Sequence, residues 1–405
     1  MRFHHLYSCD IMDNNHIVVL NSGSSSIKFA VYALNASLPK LLYGIVENIC
    51  ESPVLKLYDE NNVLVRENHF EKDRSYSYFY ELLFSALKTN QFGFQISAVG
   101  HRVVHGGNEF HTPVFLSTDI IKKLKEFIPF APLHQAYNLE AIESINKLYP
   151  ELQQIACFDT AFHKTHPKTA DLFGLPRKYF AAGIKRYGFH GLSYEFIMHQ
   201  LKSINPQKYM GRIVIAHLGN GASMCAVKEG KSIDSTMGFS ALDGLVMGTR
   251  CGNIDPGVIL YLLQSEKMSP DKIQNLLYKE SGLLGISGVT YNMQKLLENE
   301  SLHAKEAIDL FVYRIRRELG ALTAALGGLD VLVFTGGIGE NAWQIRQAVC
   351  QDSEWLGIKI DTILNKKKQL MISTPKSFVN IYTIPTDEEW IIANHCFHLI
   401  KNKEL

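Results

Sequence analysis

The clearest early pattern lies at residues 17–32, IVVLNSGSSSIKFAVY, where an apolar, β-branched run breaks at a polar turn and resumes as apolar/polar alternation around Lys28. Runs of this kind bounded by Asn, Gly and Ser predict an antiparallel hairpin. The pattern returns at residues 213–228, IVIAHLGNGASMCAVK. Aligned without a gap, the two segments share Ile-Val at the start, Gly23 with Gly219, and Ala30-Val31 with Ala226-Val227. Recurrence at such long spacing predicts a duplicated α/β architecture with one hairpin in each half. A third Gly-rich segment, DVLVFTGGIGENAWQIRQAVC at 330–350, follows a different order of strand, turn and helix. Near the end, IYTIPTDEEWIIANHCFHLI reads as a short strand followed by an amphipathic helix.

An ordinary hairpin would explain either polar turn by itself, since Ser, Gly and Asn suit tight backbone. Two matching turns and a strand–turn–helix together suit one polyanion, because backbone N–H groups and hydroxyls converge on phosphate in such turns. Residues 22–28, SGSSSIK, lack the GxxxxGK[ST] spacing and no helical pattern follows, so this is not a Walker A loop. The prediction is a nucleotide site in a cleft between two domains.

Chemistry-bearing residues cluster in a few places. GHRVVHGG (100–107) sets His101, Arg102 and His105 beside glycines. Strand alternation would put the two histidines on one face, and a zinc site there needs a third ligand. Arg102 suits capture of a carboxylate or phosphoryl group; a plain ion pair is the simpler reading. Asp159 ends an apolar run ahead of His163 and His166, a position that serves either as a structural cap or as the functional end of a sheet strand. RYGFHG offers His190, and the loop STMGFSALDGLVMGTRCGNIDPG carries Arg250. The run Thr386-Asp387-Glu388-Glu389 fits a helix N-cap and first turn, or a carboxylate reaching Mg²⁺.

Composition narrows the field. With 405 residues, 46% of them hydrophobic, the chain can bury two or three cores. A net charge of +1 argues against nucleic acid or a membrane surface as the main partner and favours small molecules. The cysteines are odd in number and scattered without a CxxC pair, which suits reduced thiols and a cytoplasmic location. Residues 1–15 lack the continuous apolar segment of a secretory signal, and Met12 is an alternative start to Met1, with residues 1–11 then a dispensable extension.

In order along the chain, VLNSGSSSIKF, GHRVVHGG, APLHQAYN, FDTAFHKTHP, RYGFHG, AHLGNGAS, STMGFSALDGLVMGTRCG, FTGGIGEN and IPTDEE resemble the acetate kinase family, over about residues 17–395. The resemblance implies an α/β, two-domain fold of the actin/hexokinase/sugar-kinase type, a duplicated RNase H-like unit with an inter-domain cleft. It implies a first domain of residues 13–160 with a returning helix at 384–405, and a second, nucleotide-binding domain at 161–383. It also implies a homodimer that transfers the γ-phosphoryl group of ATP to acetate with Mg²⁺, for which Mn²⁺ can substitute. By position, Asp159, His190 and Arg250 resemble the catalytic group, and Asn21 and Glu388 the metal-associated pair. Arg102, Val104, Leu133 and Phe189 resemble the carboxylate site and its acyl pocket. Lys28, His217, Leu218, Gly219, Asn220, Gly221, Asn292, Met293, Gln294, Gly337, Ile338, Gly339, Glu340 and Asn341 resemble the nucleotide contacts.

The chemistry supports that assignment of roles on its own terms. An acceptor carboxylate is already ionised at pH 7, so the site needs cations to hold two anions in line and needs no general base. Asp159 is therefore expected to orient or to assist a metal. The chain departs from the family pattern at Asn253, at Gln135, and at residues 290–294, Thr-Tyr-Asn-Met-Gln, where the family carries Ser-Ser-Asp-Phe-Arg. That last change puts nucleotide preference in question. Propionate or butyrate kinase is the alternative within the reaction class, and a nucleotide-operated binding module resembling a chaperone ATPase is the alternative outside it. Arg102, His190 and Arg250 together speak against the module.

Overall fold

The computed structural model describes residues 15–23, 25–72, 74–88 and 92–404, apart from the side chains of residues 133 and 404. The question of Met1 or Met12 as the start lies outside the described residues. The chain forms two compact units: one runs to Ala161 and takes back the chain from Asp387, and the other is Phe162–Thr386.

In the first unit, β1 (Asn15–Ser22), β2 (Ile27–Ala33), β3 (Lys40–Glu47), β4 (Val54–Asp59), β5 (Leu64–His69), β6 (Gln95–Val103), β7 (Val114–Phe115) and β8 (Gln153–Phe158) make an eight-stranded sheet in the order β5-β4-β3-β2-β1-β6-β8-β7. In the second, β9 (Arg212–Leu218), β10 (Ala222–Lys228), β11 (Lys231–Ser235), β12 (Val331–Thr335) and β13 (Asn380–Thr383) follow the order β11-β10-β9-β12-β13. Each sheet holds the same core. A three-stranded antiparallel meander is extended on the first strand's other side by two parallel strands, β6 and β8 beside β1, and β12 and β13 beside β9. The duplication is thus present in strand order and direction.

The gapless alignment of the two hairpins does not survive. Ser22 pairs with Ile27 across a turn from Gly23 to Ser26, whereas Leu218 pairs with Ala222 across the shorter turn from Gly219 to Gly221. The missing turn residue slips the second strand by one position, so Ala30 faces Val19 while Ala226 faces Val214. Ile-Val and the turn glycine are equivalent, and the Ala-Val matches are coincidental. A one-residue slip would reverse every side chain's face, so turn length decides the correspondence.

Each sheet is held by helices whose apolar spacing matches the 3.6-residue turn. Helix Tyr76–Lys88 buries Phe79, Tyr80, Leu83, Phe84 and Leu87 in a core with Val18, Phe29, Val31 and Val99. In the second unit, helix Leu302–Leu326 buries Phe311, Ile315, Leu319 and Leu322; the Ser301 hydroxyl accepts from Ala304 N at its start, and Gly327 ends it in the left-handed region at φ 72°.

Candidate active site

In the first unit, the sheet brings its polar residues to the ends of adjacent strands. Asn21 and Lys28 are direct cross-strand partners at the end of the β1–β2 hairpin, and Lys28 is exposed. Arg102 lies near the end of β6, and Asp159 follows β8. Arg102 binds the buried Asp159 through two edges of one fork, Nη2 to Oδ2 at 2.6 Å and Nε to Oδ1 at 3.0 Å. Its Nη1 lies 3.2 Å from Glu388 Oε2 and donates to Asn21 Oδ1 at 3.4 Å. Burial alone would lower the Arg102 guanidinium, but Asp159 and then Glu388 overcome it and hold it above its ordinary value. Burial raises the Asp159 carboxyl; the Arg102 fork opposes that rise and Glu388 adds to it.

The acidic run at the start of helix Glu388–Glu404 divides its work. Asp387 is the cap, its Oδ1 accepting from Trp390 N at 2.8 Å while Lys40 holds Oδ2 at 2.7 Å. Glu388 turns to Arg102. The cap reading of that run therefore holds for Asp387, and Glu388 meets a guanidinium. Val104 is buried, its N–H donating to Asn138 Oδ1 at 3.0 Å. Leu133 lies in helix Pro132–Leu148, and its side chain is outside the described residues. Strand β6 ends at Val103, so alternation does not extend to His105. His101 pairs with Gln154 at 2.8 Å, with burial pushing its imidazole down to about 4, and His105 Nδ1 accepts from Gly107 N. Among the described residues no group of three or more His, Cys, Asp or Glu is arranged to hold a metal ion, so the zinc reading of these histidines finds no third ligand.

In the second unit, His190 caps helix Gly191–Ile204 with φ 59°, and its ring stacks on His217 at 4.3 Å between centroids. His190 Nδ1 pairs with Ser223 Oγ and His217 Nδ1 with Ser193 Oγ, each at 2.8 Å, which turns both Nε2 atoms away from these partners. Arg250 sits in the 236–255 loop, its Nη1 donating to Ala241 O at 3.0 Å. Gly248 anchors that loop on the β9–β10 turn, where its N–H donates to Asn220 O at 3.0 Å and a Cβ would come within 1.9 Å of Asn220 Oδ1. A methyl placed on Gly221 would lie 3.3 Å from His190 Nε2 and 3.7 Å from Arg250 Nη1. The His190 and Arg250 side chains thus converge on the backbone of one turn glycine.

Beside that turn opens a cavity of about 700 Å³ lined by Gly219, Asn220, Asn292, Met293, Gln294, Gly337, Ile338 and Asn341 among the expected nucleotide residues. Sequence reasoning missed Trp343 in the same lining, and it noted Tyr291 only as part of the altered 290–294 segment. An aromatic beside each polar segment was the available signal, since base stacking needs such a face. Leu218 and Gly339 are buried, and Glu340 accepts from Thr386 N at 3.4 Å. The Asn292 side chain caps helix Met293–Leu297 by accepting from Lys295 N at 3.1 Å, and Met293 is buried. Gln294 reaches Glu298 at 3.4 Å.

A family model described as the acetokinase family matches residues 16–394. The chain belongs to that family. It is 48% identical to the acetate kinase of Rhodopseudomonas palustris strain TIE-1 over 95% of this chain and 98% of that one, and 45% identical, with the same coverage, to that of Methylocella silvestris. The crystal structure of Porphyromonas gingivalis acetate kinase superposes with TM-score 0.85 at 38% identity, covering 95% of this chain and all (100%) of that one. That of a Francisella tularensis propionate kinase gives 0.88 at 38%, covering 94% and 98%. The two matching sheets therefore form the two-domain actin/hexokinase/sugar-kinase-like fold.

Proposed function

We propose that this acetokinase-family chain is an acetate kinase, transferring the γ-phosphoryl group of ATP reversibly and directly to acetate to give acetyl phosphate and ADP. The observation that carries the reading is the meeting of His190 Nε2 and Arg250 Nη1 over Gly221, beside the nucleotide-sized cavity. Preorganised cations aimed at one point are what a spreading phosphoryl charge requires. Arg102 takes the acceptor carboxylate, with the buried Val104 as an apolar wall for the acyl group. Asp159 orients Arg102 and takes no proton, because the acceptor arrives ionised. Asn21 and Glu388 offer oxygen atoms only, the donor type a hard cation such as Mg²⁺ prefers; bound there with the nucleotide, it would neutralise phosphate charge.

The remaining nucleotide contacts are Lys28 and the turns at 217–221 and 337–341, with residues 292–294 at the base. Helix Pro256–Gln264 has no buried residue and exposes Val258, Leu260, Tyr261 and Leu263; self-association as a homodimer would cover it, in the cytoplasm. Among the described residues no helix is long and apolar enough to cross a membrane. Propionate remains the second acceptor to test, because one methylene separates acyl groups by only about 1–3 kcal/mol. Trapping the acyl phosphate with hydroxylamine, using acetate, propionate and butyrate in parallel, tests the proposal. No hydroxamate from any acid would reject it, and a preference for propionate would reassign the acceptor.

A further inference from the structure

We infer that His163 is a positioning residue for His190, acting through the backbone carbonyl of Phe189. His163 is buried and sits between two partners, Nε2 at 3.0 Å from Phe189 O and Nδ1 at 2.8 Å from Ser232 Oγ. A carbonyl can only accept, so Nε2 carries the hydrogen. In the neutral ring Nδ1 is then a lone pair that takes the Ser232 hydroxyl hydrogen. Ser232 Oγ in turn accepts from His166 Nε2 at 2.9 Å, and the far side of that ring faces Asp171 Oδ1 at 3.2 Å. The Cys225 thiol, 3.2 Å from Ser232 Oγ, completes the surroundings of that hydroxyl. Burial holds His163 neutral, with a pKa lowered to about 3.

The line of hydrogen bonds ends on the residue before His190, whose φ of 59° is uncommon for a side chain other than glycine. Such a conformation persists only where its surroundings over-determine it. Here they do so from two sides. The N–H groups of Tyr187 and Gly188 both point to Gly238 O, at 2.9 and 3.4 Å, and the His163 ring presses on Gly188, where a Cβ would meet its Cδ2 at 2.5 Å. Because Gly238 belongs to the loop that carries Arg250, the same clamp ties the placement of His190 to that loop.

The inference rests on His190 acting in phosphoryl transfer, so His190→Ala is measured alongside. In His163→Leu we expect kcat to fall at least about tenfold with KM for ATP and acetate within about threefold, and His163→Gln, which keeps an N–H at the ε position, to recover part of that loss. Ser232→Ala keeps the ring but removes the hydroxyl that anchors its Nδ1 side and so holds Nε2 on the Phe189 carbonyl; kcat should fall at least about threefold with the melting temperature preserved. It decides the matter if His163→Leu fails to fold. Ring ¹⁵N shifts of the parent protein should report the Nε2–H tautomer at His163. Parental kcat in folded His163→Leu or in Ser232→Ala, or the Nδ1–H tautomer, would overturn the inference. Parental kcat in His190→Ala would instead overturn the role given to His190.

Discussion

Gly221→Ala puts the smallest possible probe at the point where His190 and Arg250 meet. The added methyl would stand 3.3 Å from His190 Nε2, 3.5 Å from its Cε1 and 3.7 Å from Arg250 Nη1. The first separation is tighter than ordinary contact, so the imidazole must yield by a few tenths of an ångström, and the methyl takes space on the side that both donors face. Gly221 is not among the glycines with left-handed φ, so alanine brings no backbone strain. The melting temperature should stay within about 3 °C of the parent. Turnover should not, because withdrawing one preorganised donor from a developing phosphoryl charge costs about 2.7–4 kcal/mol, or about 10²–10³ in kcat. The assay is hydroxamate formation from acetate and ATP at saturation, paired with a thermal melt. If kcat stays within about threefold of the parent with an unchanged melt, the two groups do not act on the transferred phosphoryl group.

Three further outcomes are expected. Arg102→Ala should abolish turnover and also lower stability by about 3–5 kcal/mol, since it strands the buried Asp159 carboxylate; adding Asp159→Asn should restore stability in urea titration without restoring activity. His101 is held at about 4 when folded against about 6.5 when unfolded, so its contribution is complete above about pH 6.5 and is lost as pH falls toward 4; between pH 7 and 5 unfolding free energy should drop by about 2 kcal/mol more in the parent than in His101→Gln, and equal drops would refute it. GTP should support acetate phosphorylation with kcat/KM within about tenfold of ATP, because the cavity is lined at 292–294 by a capping Asn, a buried Met and a neutral Gln; an ATP preference above about a hundredfold that is unchanged in Asn292→Asp/Gln294→Arg would reject this.

What was legible in the sequence was what local pattern encodes. The hairpins and the strand–turn–helix at 331–341 follow from β-branched runs broken by Gly and Asn, and the placement of Asp159 follows from the apolar run just before it. Turn length was not legible, because one residue more or less leaves the pattern of apolar and polar residues nearly unchanged while moving every later side chain across the sheet. Nor could periodicity report which member of Thr386-Asp387-Glu388-Glu389 caps the helix, since that depends on Lys40, distant in sequence. Asn292 lines the cavity and also caps the five-residue helix that follows it, a second role that apolar periodicity does not report. Tyr291 and Trp343 face one cavity only because folding brings two segments far apart in sequence together.

The hydrogen-bond count at Arg102 limits how the acceptor can be held. A guanidinium has five N–H groups in a plane. Nε and one hydrogen of Nη2 are committed to Asp159, and Nη1 meets Glu388 and Asn21. The edge best suited to bidentate capture is therefore already spent on a protein carboxylate, which fixes the guanidinium plane. If Arg102 takes the acceptor as proposed, acetate would have to approach the Nη1/Nη2 end, where it would compete with Glu388, and Glu388 would have to turn away, toward a cation, for the acceptor to bind well. Asp159→Asn should accordingly raise KM for acetate through a loosened Arg102. Glu388→Gln should spare acetate binding and raise the Mg²⁺ concentration that gives half-maximal rate. If Asp159→Asn left KM for acetate unchanged and reduced only kcat, with a pH profile that lost its acidic limb, Asp159 would be accepting a proton and the orienting role would be wrong.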